Sequence, residues 1–141
     1  MMKINKLVIN ALRRICRLIS DFDGFFSTYT EKIFKTRYKL NGKCKQCGIC
    51  CTKIAIYLSN SFWHYPWLKK FAIKWYSFTY NFDFVWEEAD LKIIVFKCNY
   101  LKNNKCSIHK TRPYICRNYP MLRYFEEPQF LPDCGFTCSL R

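Results

Sequence analysis

Cys44-Lys45-Gln46-Cys47-Gly48-Ile49-Cys50-Cys51 places four sulfurs within eight residues, at the spacing C-x2-C-x2-C-C. A C-x2-C turn brings two side chains to one point while the residues between them reverse the backbone, and Gly48 relieves strain at the turn. The third cysteine extends that half-cage in the manner of the C-x2-C-x2-C runs that ligate iron–sulfur clusters. Cys50 and Cys51 are unsuited to a mutual disulfide, because adjacent Cα atoms lie about 3.8 Å apart, below the disulfide range. The stretch reads as a metal-binding nest. A chain organised around it is expected to be α+β: a small, irregular, metal-stabilised domain with short strands or a hairpin, preceded by N-terminal helices.

The 141 residues are one domain by length, with residues 1–41 expected as an amphipathic helical extension and 42–141 as the cysteine-cluster domain. Half the residues are hydrophobic and 19% are aromatic, which argues against disorder despite a formal charge of +14. No apolar run approaches the roughly 18–20 residues of a membrane span. Leu7-Val8-Ile9 is cut by Asn10, followed by Arg13-Arg14 and lacks a small-residue cleavage site, unlike a signal peptide. The expected compartment is the cytoplasm, where ten cysteines are kept as thiols rather than paired as a disulfide framework. Metal-bound cysteines are thiolates, so eight of them around two divalent ions would bring the charge to about +10. That remainder suits nucleic acid, anionic lipid or an acidic partner and selects none of them.

Along the chain, Ile4, Leu7, Val8, Ala11, Ile15, Leu18, Ile19 and Phe22 form the stripe of an amphipathic helix, with Lys3, Lys6, Arg13, Arg14 and Arg17 on its other faces. Asp21 and Gly24 punctuate its end. The stripe is expected to dock on the domain; a membrane surface or protein partner taken by this basic helix is the alternative. Cys16 lies beside the stripe, far from the nest. A second helix is expected from Ser27 to Leu40, with Phe26, Ile33, Phe34 and Tyr38 as its stripe and Asn41-Gly42 as its stop. After the nest, Ile54, Ile56 and Leu58 alternate with Lys53, Ala55 and Tyr57 as a short strand.

Trp63, Trp67, Trp75 and Trp86 crowd the stretch 62–86, where Pro66 opens a helix predicted to run through Tyr80 with Leu68, Phe71, Ala72, Trp75 and Phe78 inward. Leu91 to Lys97 is an apolar, β-branched run, a strand that delivers Cys98. The chain then turns through Asn103-Asn104 and returns at Cys106, a hairpin whose two feet carry sulfur. Pro113 opens a short helix bearing Cys116 and Arg117, and Tyr119-Pro120 ends it. The tail, with Pro128, Pro132, Cys134, Gly135 and Cys138, reads as irregular.

The ordered series Cys44-x2-Cys47-Gly48-x-Cys50-Cys51, Phe96-x-Cys98-x2-Leu101, Cys106-Ser107-Ile108-His109, Arg112-Pro113-x2-Cys116-Arg117-x-Tyr119-Pro120 and Cys134 resembles the YkgJ-type cysteine-cluster family of zinc- or iron-chelating domains. The resemblance spans about residues 44–134, and a related cysteine arrangement occurs within the longer flagellin lysine N-methylases. It implies metal binding through Cys44, Cys47, Cys50, Cys51, Cys98, Cys106, Cys116 and Cys134. The cofactor is then zinc, in two closed four-thiolate sites, or iron, including an iron–sulfur cluster on Cys44, Cys47 and Cys50 with a distant fourth cysteine. Soft thiolates suit either. Arg112 and Arg117 are the best-placed cations to tune the sulfurs.

No catalytic constellation is legible. His64 and His109 are the only histidines, and no Ser/His/Asp set, paired acidic motif or phosphate-binding glycine loop accompanies them. A metal-chelating protein is therefore the leading reading. An iron–sulfur redox or protein-methylating enzyme is one alternative; a zinc-scaffolded module for a membrane surface or nucleic acid is the other.

Overall fold

β4 (Ile93–Cys98), at the centre of the fold, is the apolar run that the sequence marks most clearly. In the computed structural model, which describes residues 6–33, 37–120 and 130–141, it is flanked antiparallel by β2 (Ile54–Tyr57) and β3 (Phe82–Glu88) in the order β2-β4-β3. Alternation along β4 puts Ile94, Phe96 and Cys98 on one face, and all three are buried. Phe96 meets the rings of Tyr76, Phe82 and Phe84. Cys51 and Cys98 belong to the same buried cluster as Ile94 and Phe96. The apolar core thus runs directly into the sulfur site.

α3 (Asn60–His64) leads into α4 (Pro66–Tyr80), which opens at Pro66 and runs through Tyr80 as the sequence predicts, and is capped by Asn81 in the left-handed conformation. Its inward face differs from the predicted one. Ala72 is buried as expected, together with Thr79 and Tyr80, and Ile73 and Tyr76 are partly buried, whereas Phe71 and Phe78 are exposed. The reason lies in β3, an unanticipated strand: Tyr80 stacks on Phe82 and Tyr76 on Tyr80, which turns the helix by part of a turn.

The N-terminal segment is one helix, α1 (Lys6–Ile33), not two. The expected break at Asp21 and Gly24 is absent because both residues face a neighbour. Tyr114 N–H donates to the Asp21 carboxylate at 2.9 Å, and a Cβ on Gly24 would collide with the Tyr114 ring. The expected orientation is also reversed. Arg13 lies over the Phe78 ring, Ser20 hydrogen-bonds Tyr80, and Asp21 and Gly24 take Tyr114. The polar stripe docks, and the apolar one faces out: Leu7, Val8, Ile15, Leu18, Ile19 and Phe22 are all exposed. Lys3, Ile4, Phe34 and Pro128 lie outside the described residues.

The predicted second helix gives way to β1 (Tyr38–Gly42), which pairs antiparallel with β7 (Phe136–Leu140) and makes the expected irregular tail a strand. Asn41 Nδ2 donates to Ser139 Oγ at 2.9 Å, tying the two ends of the described domain together. No described helix is long and apolar enough to cross a membrane.

Candidate metal centre

Each sulfur is placed by a short local device. Gln46 adopts a left-handed backbone (φ 58°), and its N–H points back at Cys44 Sγ, 3.4 Å away. Gly48 then opens α2 (Ile49–Thr52), which carries Cys50 and buried Cys51. Gly48 has φ 73°, and a Cβ there would lie 2.6 Å from Asn104 O and 2.7 Å from Leu101 Cδ1. Only glycine lets the nest close against the next sulfur-bearing segment. That segment is the hairpin β5 (Leu101–Lys102) to β6 (Lys105–Cys106), turning through Asn103 and Asn104, both left-handed as the asparagine pair predicts. At its foot, Tyr100 N–H donates to Cys98 Sγ at 3.4 Å, and Ser107 donates both N–H and Oγ–H to Tyr100 O.

Pro113 precedes α5 (Tyr114–Arg117), which presents Cys116. Cys134 closes a turn with its N–H on Leu131 O, and Lys43 N–H donates to Gly135 O at 3.2 Å, which brings the tail beside the start of the nest. Cys44, Cys47, Cys50, Cys51, Cys98, Cys106, Cys116 and Cys134 all line one cavity of about 310 Å³. Cys16, on α1, and Cys138, on β7, do not line it.

Within the cavity the thiols compete for protons. The Cys51 thiol is hydrogen-bonded to Cys50 and Cys98, and its pKa is pushed up by those bonds and by burial. Cys50 comes down to about 6, through the bond from Cys51 with help from Arg112; Cys98 falls to about 7 for the same first reason, with the Tyr100 N–H and Arg17 contributing. Burial, with Cys98, Cys50 and Cys106 nearby, pushes Cys116 up to about 12. So many acids sharing one partly dry cavity cannot all ionise unless a cation joins them, and a bound divalent ion reverses that order by deprotonating its thiol ligands. The donor set therefore suits a soft metal. Among the described residues, no three Cys, His, Asp or Glu side chains form a group that could hold an ion as they stand. The sulfurs surround a shared space without converging on one point.

Two cations turn toward the sulfurs. Arg112 Nη1 lies 3.7 Å from Cys44 Sγ, as expected of it. Arg117 instead approaches Asp21 at 3.9 Å, so its expected role at the sulfurs is not seen. The second cation is Arg17, which sequence reading leaves as a surface charge. Its Nε and Nη2 are buried with no hydrogen-bond partner, and its charge favours the thiolates of Cys98 and Cys116. Two buried guanidinium nitrogens without hydrogen-bond partners, in a side chain whose charge acts on Cys98 and Cys116, fit a centre that carries net negative charge when assembled. Only the helical spacing of Arg13, Arg17, Ser20, Asp21 and Gly24, a polar stripe opposite the apolar one, hinted at it. His109 also lines the cavity, with Nε2 buried and lacking a hydrogen-bond partner; burial and Arg112 lower its pKa. His64 is exposed and stands edge-on to Tyr65, outside this cavity.

Residues 43–138 match the family model CxxCxxCC, described as a putative zinc- or iron-chelating domain. No curated protein and no solved structure matches the chain.

Proposed function

The chain belongs to the CxxCxxCC family, and from that premise we propose that it chelates zinc or iron through Cys44, Cys47, Cys50, Cys51, Cys98, Cys106, Cys116 and Cys134. The observation that carries this reading is the lining of one cavity by these eight and by neither of the other two cysteines. Bound metal would supply Lewis acidity or redox chemistry. The chain's own part is to gather the thiolates, offset their charge with Arg112 and Arg17, and screen them with Phe82, Ile115 and Pro113.

The sulfurs divide into two quartets on this proposal. Cys44 and Cys50 share Arg112, while Cys47, Cys50 and Cys134 all act on the Tyr119 hydroxyl. Cys51, Cys98, Cys106 and Cys116 form the inner set, nearer the apolar core. The adjacent Cys50 and Cys51 then serve different metals. A second reading makes the outer quartet an iron–sulfur site, because the Lys43–Gly135 hydrogen bond brings Cys134 to a C-x2-C-x2-C run as its distant fourth ligand.

Elemental analysis of protein purified without oxygen tests both readings. Two closed zinc sites give about two equivalents of zinc, with Cys47→Ser and Cys116→Ser each losing one and Cys16→Ser losing none; a cubane cluster on the outer quartet gives instead about four of iron beside one of zinc. Brown colour with labile sulfide that disappears in Cys47→Ser selects the cluster. Fully titratable thiols and less than about half an equivalent of metal would overturn the chelation proposal.

A further inference from the structure

α1 presents two opposite surfaces. Arg13, Arg17, Ser20, Asp21 and Gly24 are turned to the domain. On the other side, Val8, Leu12, Ile15, Ile19, Phe22, Phe26, Tyr29 and Ile33 recur at alternating steps of four and three, and every one is exposed. Leu7, Leu18 and Phe25 widen the same face; Leu18 is 70% exposed and Phe22 66%. At 100° per residue these positions sweep about 140° of the helix, an arc holding no charged residue. Over 28 residues the face is about 42 Å long. A monomeric soluble domain rarely leaves apolar surface of that extent uncovered.

We propose that this face lies on anionic lipid bilayers, with α1 in the plane of the interface and the cysteine domain carried on its polar side. Three observations favour lipid over a second copy of the chain. A two-stranded seam is narrow and is framed by complementary charges along both edges, whereas this arc is broad and, of the positions that would flank such a seam, Ile9, Ala11, Cys16, Leu18, Phe25 and Thr30 are uncharged and only Asp23 and Lys32 carry charge. The chain carries +14, or about +10 with metal bound to thiolates, so two copies repel overall while an anionic surface attracts each of them. The side chains also match an interfacial helix: aliphatic in the first half, Phe22, Phe25, Phe26 and Tyr29 in the second, with Arg14 exposed on the border of the arc. Arg13, Arg14, Arg17 and Asp21 bar the same helix from crossing the bilayer.

The inference stands apart from metal binding, and its test reads the two separately. The full-length metal-loaded chain is sedimented with vesicles of phosphatidylcholine alone or with about a quarter phosphatidylglycerol. Binding to the anionic vesicles, weakening as salt rises, is expected. The double variant Ile15→Glu/Phe22→Glu should lose at least about tenfold in that binding with metal content and helicity unchanged, because neither side chain touches the core or the cavity. Arg14→Glu, which leaves the apolar arc intact, should weaken binding to anionic vesicles only. Absence of vesicle binding overturns the proposal. So does a stable dimer in sedimentation velocity that Ile15→Glu/Phe22→Glu dissociates while vesicle binding stays the same, since the face would then be an interface between copies.

Discussion

The sheet β2-β4-β3 and α4 bury Ile56, Tyr80, Phe82, Ile94 and Phe96, a connected set of side chains that holds its own backbone in place. The neighbouring sulfur-bearing segments are built differently: α2 and α5 have four residues each, and β5 and β6 two each. Helices that short do not persist alone in water, and a two-residue ladder contributes little. The first region is held by apolar burial and holds one of the cavity's cysteines, Cys98. The second has buried Cys51 and Pro113 and the six remaining sulfurs. What joins them is β4, whose last residue is Cys98, so metal is expected to act as the missing half of the core.

The strongest way to break that comparison is to remove the metal. A four-thiolate zinc site contributes about 10–16 kcal/mol of apparent binding free energy, against about 5–15 kcal/mol for the whole stability of an ordinary domain. Chelation under reducing, oxygen-free conditions should therefore release the amides of residues 44–52 and 101–117 to hydrogen exchange, while those of α4 and β4 exchange later. Simultaneous release of both regions would mean that they are one cooperative unit; no change in either would mean that metal is not part of the fold. The converse experiment is Phe96→Ala, which empties the contact between Tyr76, Phe82 and Phe84. It should cost about 3–5 kcal/mol in denaturant unfolding while metal stoichiometry at low temperature is retained, since no sulfur is lost.

The apolar region was the more legible of the two in the sequence, with one strand missed. β4 and α4 follow from an uninterrupted β-branched run and from Pro66, both local signals. The Asn103-Asn104 hairpin and the Pro113 helix are local too. The membership of the cysteine set came from spacing and resemblance, but nothing in the spacing indicated that Lys43 would bond to Gly135 and bring Cys134 beside Cys44. β3 escapes the sequence pattern because Asp83, Glu87 and Glu88 interrupt its apolar residues and a bulge between Phe84 and Trp86 shifts its alternation. β1 carries no local strand signal because its partner β7 lies nearly a hundred residues away, as Asn41 and Ser139 do. The docked face of α1 differs from its sequence pattern for a related reason. Apolar periodicity finds the stripe that wants cover, and here the domain covers the opposite one.

Arg17 sharpens the comparison from the side of α1, because it brings the helix's charge to the sulfurs. Arg17→Gln keeps length and polarity but removes the cation that favours the Cys98 and Cys116 thiolates. Metal affinity, measured by competition with a chromophoric chelator, should fall about 10–100-fold, with Arg14→Gln as an exposed control that leaves it unchanged. Equal affinity in wild type and Arg17→Gln would return Arg17 to a packing role.

The smallest expected effect tests how α1 holds the sulfur region in place. α5 has no side-chain cap of its own, and its first N–H, from Tyr114, is taken by Asp21 of α1. A carboxylate there also faces the positive end of the short helix that positions Cys116. Asp21→Ala leaves that N–H without its acceptor and should cost about 0.5–2 kcal/mol, the range for loss of a helix cap. Asp21→Asn, whose amide oxygen can still accept, should cost less. If the two substitutions cost the same, the charge and its pairing with Arg117 matter more than the hydrogen bond. If neither has an effect in the metal-loaded protein but both destabilise the stripped one, α5 is held chiefly by Cys116 on the metal, and α1 is a guide for assembly rather than a brace.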